Sequence, residues 1–359
     1  MLETVRWGIL GTGPVAQLFA QGLRTLPSAK LVAVGSRTEE RARRFATAYQ
    51  VPRYHTDYER FFADPDIDVV YIATPNHRHK IDALAALDAG KAVLCEKPFT
   101  VNAAEAAAVI ARARETGLLC VEGMWMRFLP LMRRLPEMLA ELGEVSLLNA
   151  NLGHAFKYDA ANSMFDPATG GATLDLGVYL VSLATLCFGR PTAIDSRLSL
   201  APNGVDDQMS AVLEFAGGKL AVLSASLRTN GANEAVFMGS RGRARVHAPL
   251  YRANEVTVAN YEQAERITDP AQPGLLSRVK ANRTVRAAFQ RAAAALPRLR
   301  GERLVSIGFD GNGYNYEAEE VMRCMRAGLT ESPVMPLDDT LSVMQVIDAI
   351  RVSATGKTP

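Results

Sequence analysis

The sequence predicts an α/β protein in two parts. Residues 1–122 read as a doubly wound parallel domain, and residues 123–359 as an α+β domain on a large, mostly antiparallel open sheet. Three observations carry this reading. Short apolar runs alternate with helical patterns through the first 120 residues, the pattern of βαβ units with helices on both faces of a parallel sheet. A glycine turn, Gly11-Thr12-Gly13-Pro14-Val15-Ala16, joins the first apolar run to the first helical pattern. Past about Glu122 the chain changes to β-like runs divided by turn residues, which suits hairpins.

The elements follow in order. Trp7-Gly8-Ile9-Leu10 reads as a strand, 15–23 as a helix, 30–34 as a second strand and 39–49 as a second helix. Residues 69–73 give a third strand, about 79–89 a helix, 92–95 a fourth strand, 103–115 a helix and 118–121 a fifth strand. A helix is expected over 128–142, and β-like runs at 145–150, 193–198, 209–215, 220–226, 235–238, 243–247 and 256–258. Gly217-Gly218 and Gly239-Ser240-Arg241-Gly242 supply turns between them. Helices at about 316–327 and 337–351 close the chain. Alternating apolar residues in 209–215 and 220–227 suit a sheet buried on one face and free to associate on the other. A homodimer or homotetramer is expected. The segment 277–303 is strongly basic, with eight arginines and lysines against Glu302 alone. It reads either as a basic amphipathic helix for an acidic partner or surface, or as a solvated helix covering the sheet.

Composition excludes several classes. Apolar residues make up 48% and charged residues 22%, as in ordinary globular proteins. The net charge of +2 gives no global drive toward nucleic acid. Cys95, Cys120, Cys187 and Cys324 form no CxxC pair and no His-spaced set, so no metal site is expected, and reduced thiols suit a cytoplasmic location. The N-terminus lacks the pattern of a secretory leader. The longest apolar stretch, 174–188, is short and carries Asp175, so no membrane span is expected.

The glycine turn fits G-x-G-x-x-G/A, the dinucleotide fingerprint of the Rossmann fold, with Ala16 last. Gly11 permits a tight turn, Gly13 lets the backbone approach a pyrophosphate, and the amides following Pro14 and Val15 hold phosphate at the helix start. The second strand then decides the cofactor. An NAD site wants a carboxylate at its end, but this chain reads Val34-Gly35-Ser36-Arg37. Ser36 and Arg37 suit a 2′-phosphate, and Arg41 adds charge one turn later, so NADP is favoured over NAD. Glu96-Lys97-Pro98 follows the fourth strand, and Thr74-Pro75-Asn76 through His79 follows the third. Ligands of open α/β sheets bind beyond these strand ends.

In this order and spacing, the glycine fingerprint, Thr-Pro-Asn-x-x-His and Glu-Lys-Pro resemble the glucose–fructose oxidoreductase/inositol dehydrogenase (Gfo/Idh/MocA) family. Gly123-Met124-Trp125-Met126-Arg127-Phe128 and Asp175-Leu176-Gly177-Val178-Tyr179 are most similar to its dimeric dihydrodiol dehydrogenases and NADP-dependent sugar dehydrogenases of the D-xylose type. Tyr316-Glu317-Ala318-Glu319-Glu320 and Thr330-Glu331-Ser332-Pro333 resemble the same subgroup. The resemblance implies hydride transfer between NADP and a sugar or cyclic diol. Tyr179 would be the acid/base, with Lys97 supplying the cation that a tyrosine of pKa ~10 needs near neutral pH. Asp175, one turn before Tyr179, either orients substrate or Lys97, or caps its helix. Gly11, Gly13, Pro14, Val15, Ser36, Arg37, Arg41, Thr74, Asn76, His79, Glu96, Lys97 and Trp125 become cofactor candidates, and Trp125, Arg127, His154 and Phe165 substrate candidates. His154 reads equally as a satisfied strand histidine. The rival reading is a non-catalytic NADP-sensing regulator of the same fold, against which the presence of both Lys97 and Tyr179 counts.

Overall fold

The computed structural model describes residues 3–261, 285 and 302–354. Its first sheet is six-stranded and wholly parallel, in the order β3-β2-β1-β4-β5-β6. The strands are β1 (Val5–Leu10), β2 (Ala29–Gly35), β3 (Arg53–His55), β4 (Val69–Ile72), β5 (Ala92–Glu96) and β6 (Cys120–Gly123). Strand order reverses between β1 and β4, and a crevice opens there beyond the carboxyl ends. The strands are buried on both faces, as near-continuous apolar runs such as Val69–Ile72 require. Helices α1 (Pro14–Leu23), α2 (Glu39–Tyr49), α3 (Tyr58–Phe62), α4 (Asn76–Asp88) and α5 (Ala103–Thr116) supply the crossovers. In α1, Ala16, Phe19, Ala20 and Leu23 form one buried stripe, and Phe19 stacks on Tyr71 of β4 at 3.6 Å between centroids.

The short β3 and α3 have no counterpart among the sequence-predicted elements. Three residues are too few to show a period. They are held instead by Asp57, whose carboxylate accepts from the amides of Glu59 and Arg60, and by the Arg53–Asp64 pair. The expected helix over 128–142 is split. A 3₁₀ turn, Trp125–Phe128, precedes α6 (Pro130–Ala140), because a proline at the first helical position keeps Leu129 extended at ψ 142°.

The second sheet has eight strands in the order β14-β13-β12-β11-β7-β10-β9-β8. They are β7 (Val145–Gly153), β8 (Ala193–Leu200), β9 (Asp206–Phe215), β10 (Lys219–Ser226), β11 (Ala235–Gly239), β12 (Gly242–Val246), β13 (Glu255–Asn260) and β14 (Glu302–Ser306). Only β7 and β10 pair in parallel. One face is buried, through residues such as Met209, Ala211, Leu213 and Phe215 of β9. The other face leaves Val212 and Val222, opposite each other, about 41% and 42% exposed.

Helix α7 (Val178–Phe188) lies on the buried face, and α8 (Tyr314–Arg326) and α9 (Leu337–Ala354) end the described chain. These last two helices pack back on the first sheet's layer, α8 against α1 and α9 against α5, where Asp348 accepts from the amide of Ala103. Most of the basic segment 277–303 lies outside the described residues. Its end forms β14, where Arg303 pairs with Glu141 at 2.6 Å. No described helix is long and apolar enough to cross a membrane.

Candidate active site

A cleft of about 1410 Å³ runs along the carboxyl ends of β1, β2, β4 and β5. Its floor is the glycine turn. Gly11 has φ +113°, and a Cβ there would stand 2.4 Å from the carbonyl oxygen of Ala73, so neither the backbone nor the space admits a side chain. Gly13 caps α1 without a side-chain bond, nothing stands within 4 Å of its Cβ position, and Pro14 opens the helix. The helix start therefore faces the cleft with its amides free, which fits a pyrophosphate. Val15 also borders the cleft.

At the end of β2 the cleft wall carries Ser36, Arg37, Arg41 and Arg44, with Glu40 beside them. Ser36 is buried against Thr12, Oγ to Oγ 3.4 Å. Among the described residues, Arg37, Arg41 and Arg44 make no ion pair. Three unneutralised guanidiniums on one wall suit a phosphate better than a bare ribose hydroxyl.

Further along, the loops after β4 and β5 are tied together. The ring nitrogens of His79 lie 2.9 Å from the carbonyl oxygen of Pro98 and 2.8 Å from that of Thr74. Thr74 donates to Asp82, and Asn76 donates to the carbonyl of Thr169 across the cleft. All three border the cleft, but their polar groups are spent on holding its walls.

Lys97 follows β5. Its Nζ donates to both Oδ1 and the main-chain carbonyl of Asp175, each at 3.1 Å, and stands 4.7 Å from the centre of the Tyr179 ring. Asp175 sits on a π-turn, Thr173–Gly177, that runs directly into α7. Such widened turns recur at functional sites, and here one residue offers Lys97 two acceptors. Asp206, not Asp175, caps this helix, accepting from the amide of Thr173 at 2.7 Å. Tyr179 lies one step deeper than the cleft wall, its hydroxyl accepting from Trp125 Nε1 at 3.2 Å. Tyr251 and Tyr314 complete an aromatic wall behind the cleft; Trp125, a cofactor and substrate candidate of the sequence, is buried in it and does not line the cleft itself. Tyr314 stacks on Trp125 at 4.9 Å, and Tyr251 lies 5.9 Å from both Tyr179 and His154.

The electrostatics follow from this packing. Burial works against the Lys97 cation, but Asp175, Tyr179 and Glu96 outweigh it and hold the lysine above its ordinary range. Burial pushes the Tyr179 hydroxyl up to about 12, with Lys97 pulling back only in part. The lowered tyrosine that the sequence suggested is thus not what the protein alone produces. Burial also lifts Glu96 to about 7, opposed by the Tyr71 hydroxyl that donates to it and by Lys97.

Two substrate candidates are corrected. Arg127 is 2% exposed and fully engaged, with Nε on Ser182, Nη1 on Asp339 at 2.6 Å and Nη2 on the Ser182 carbonyl. It locks the 3₁₀ turn to α7 and α9 and does not reach the cleft. Phe165 is buried edge-on against Tyr158 at 5.2 Å, so it supports the wall at Met164 without forming it. His154 stands on the aromatic wall through Tyr251. Sequence reasoning missed Tyr71, Tyr251 and Tyr314. Tyr251 lies in a single 3₁₀ turn, Leu250–Arg252, too short to show a period, and only the fold brings it to Tyr179.

Comparison with known proteins agrees with this geometry. The model of an oxidoreductase family with an NAD-binding Rossmann fold, GFO_IDH_MocA, matches residues 5–124, and that of the GFO/IDH/MocA C-terminal domain matches 132–245. The trans-1,2-dihydrobenzene-1,2-diol dehydrogenase of Mus musculus is 33% identical over 353 residues, 97% of this chain and 96% of that one. A levoglucosan dehydrogenase in complex with NADH superposes with a TM-score of 0.82 at 21% identity, covering 98% of this chain and 97% of that one. A 3-ketoreductase from Actinomadura kijaniata with NADP and TDP-benzene gives 0.78 at 23%, covering 98% of each chain. The fold is thus shared by proteins solved with either nicotinamide cofactor. On the strength of the two matched domains and the full-length relatives, the chain belongs to the Gfo/Idh/MocA family of oxidoreductases.

Proposed function

We propose that the protein is an NADP-dependent dehydrogenase/reductase acting on a CH–OH group of a sugar or cyclic diol. The observation that carries this reading is the Lys97–Asp175–Tyr179 cluster at the carboxyl edge of β5, where the dinucleotide cleft ends. Bound nicotinamide supplies the hydride acceptor or donor. The chain supplies the proton and the positioning. In oxidation, the substrate's carbinol carbon gives up hydride as its hydroxyl proton passes to Tyr179. In reduction, Tyr179 gives that proton to the carbonyl oxygen. A tyrosine near 12 is protonated at neutral pH and ready as an acid. For the reverse step the Lys97 cation favours the phenolate. Asp175 keeps Lys97 oriented, and Trp125 steers the phenol.

The cofactor choice rests on Arg37, Arg41 and Arg44, which offer charge to a 2′-phosphate with no carboxylate at the end of β2. The wall of Trp125, Tyr179 and Tyr251 suits the apolar face of a sugar or diol ring. We take residues 1–122 as the dinucleotide domain and 123–359 as the substrate and oligomerisation domain. The exposed sheet face around Val212 and Val222 suits a second copy, as a homodimer or homotetramer. Four free cysteines suit the reducing cytoplasm. The deciding experiment is a panel of aldoses and cyclic diols with NADP⁺ and NAD⁺ side by side. NADPH formation on at least one member supports the reading, and cofactor binding with no turnover on any member opposes it.

A further inference from the structure

The motif at 316–320 contributes a residue that the reaction described above does not use. Glu317, in the first turn of α8, is fully buried, and neither carboxyl oxygen has a hydrogen-bond partner. It lies one turn beyond Tyr314, which stacks on Trp125. It reaches the carboxyl ends of β5 and β6. The point where a Cβ on Gly123 would stand is 3.5 Å from Glu317 Oε2, 3.5 Å from the Glu96 Cα and 3.2 Å from the Cys95 carbonyl oxygen. The Glu317 carboxyl thus lies at van der Waals distance from the Gly123 side of β6, directly behind Glu96, the residue that precedes Lys97.

The two carboxyls of this pocket are unequal. Glu96 accepts from the Tyr71 hydroxyl of β4 and from the Lys97 amide at 3.1 Å, and it faces the Lys97 cation. Glu317 has no donor. Glu122 of β6 is also buried nearby, on the side of Thr340 and Arg127, and Tyr314 adds a second phenol from α8 itself. Beyond Lys97 lie Asp175 and Tyr179. Among the described residues no cation faces Glu317 directly. Two carboxylates in one buried site cannot both ionise without large cost, and the one lacking donors keeps its proton.

We propose that Glu317 is a positioning residue for Lys97, held protonated behind Glu96 so that the negative charge of the pair falls on Glu96, whose carboxyl group fixes the Lys97 main chain. Ionised, Glu317 would repel Glu96 and loosen its bonds to Tyr71 and to the Lys97 amide, which set the height of Lys97 against Tyr179. Burial and the neighbouring Glu96 both hold the Glu317 carboxyl well above the usual carboxylate range.

The inference rests on Lys97 as the catalytic lysine, and its test separates the two. Infrared spectra of the wild type and of Glu317→Gln are recorded at neutral pH, with no substrate. The carbonyl band of a protonated carboxylic acid is expected to lose intensity in the variant, and identical spectra in that region would overturn the proposal. Turnover is then compared among the wild type, Glu317→Gln and Glu317→Ala. Glu317→Ala should lower kcat about 10-fold, the low end for a lost supporting group, at unchanged KM for the cofactor. Glu317→Gln, a neutral mimic of the acid, should restore most of that loss. A loss as large in Gln as in Ala would mean that the charged form is required. If Glu317→Ala does not fold, the spectra and the Gln variant still decide. Should Lys97→Met keep full turnover while the infrared band behaves as expected, the catalytic reading fails and the protonation state of Glu317 stands.

Discussion

Replacing Arg37 with alanine removes one guanidinium from the cleft wall where β2 ends. Among the described residues Arg37 has no ion-pair partner, so the change breaks no salt bridge there, and the loss falls mainly on the ligand. A hydrogen bond to a charged group contributes roughly 1.5–3 kcal/mol. Arg37 is solvent-exposed, and Arg41 and Arg44 share the same wall, which places the effect at the low end. About 1.5 kcal/mol corresponds to about 10-fold in affinity. Arg37→Ala should therefore raise KM for NADP⁺ about 10-fold and leave KM for NAD⁺ nearly unchanged. Adding Arg41→Ala should deepen the NADP⁺ loss alone. Ser36→Asp should shift preference toward NAD⁺, because a carboxylate there would repel a 2′-phosphate and accept from a free 2′-hydroxyl. Initial rates against both cofactors, wild type beside variants, give the answer. An equal loss for NADP⁺ and NAD⁺ would rule out a contact of Arg37 with the 2′-phosphate, since Arg37 would then touch a part common to both or merely support the turn.

Three further outcomes are expected. Glu122 is fully buried, and burial lifts its carboxyl to about 7 from 4.5 against the opposing pull of Thr340, Arg127 and the Phe99 main chain. Its folded pKa is the higher, so stability should fall as pH rises from about 4.5 to 7, by about 3 kcal/mol for this group alone. Urea midpoints at pH 5 and pH 8 should differ less in Glu122→Gln than in the wild type, and an unchanged difference would show that Glu122 does not titrate in that window. Asp175→Asn removes the charge that, after the opposing effect of burial, does most to hold Lys97 above its ordinary range. The alkaline limb of kcat should then move to lower pH, and a limb that stays in place would remove Asp175 from control of Lys97. Val222→Arg places a charge at the centre of the open sheet face and should convert the assembly to monomers in light scattering, whereas a wild type already monomeric at micromolar concentration would contradict the oligomer.

The first sheet was legible because each of its long elements has a local cause. The glycine turn, Pro14 at a helix start and the buried run Val69–Ile72 all announce themselves within a few residues. The second sheet was legible as alternation, but its order was not. Strand β7 pairs in parallel with β10, a contact between residues more than seventy apart, and no local pattern specifies it. Site residues divided in the same way. Lys97, Asp175 and Tyr179 stand in recognisable motifs and the fold brings them together. Arg127 stands in such a motif too, yet its guanidinium is consumed by Ser182 and Asp339. A motif marks where a residue sits in the chain, not which way its side chain faces. Tyr251 lies outside any motif, and Glu317, though inside one, shows its place behind Glu96 only through tertiary packing.

If the proposed function holds, Tyr179, beside Lys97, moves the proton during hydride transfer. The most direct measurement is NADPH formation by the wild type and Tyr179→Phe on the best substrate of the panel, with NADPH binding followed in parallel by fluorescence. Tyr179→Phe should bind NADPH as the wild type does and lose at least about 100-fold in turnover, the lower range for a removed acid/base group. Wild-type turnover in Tyr179→Phe would contradict that role, and the proton would then have to pass through another group at this wall, such as Asp175 or His154.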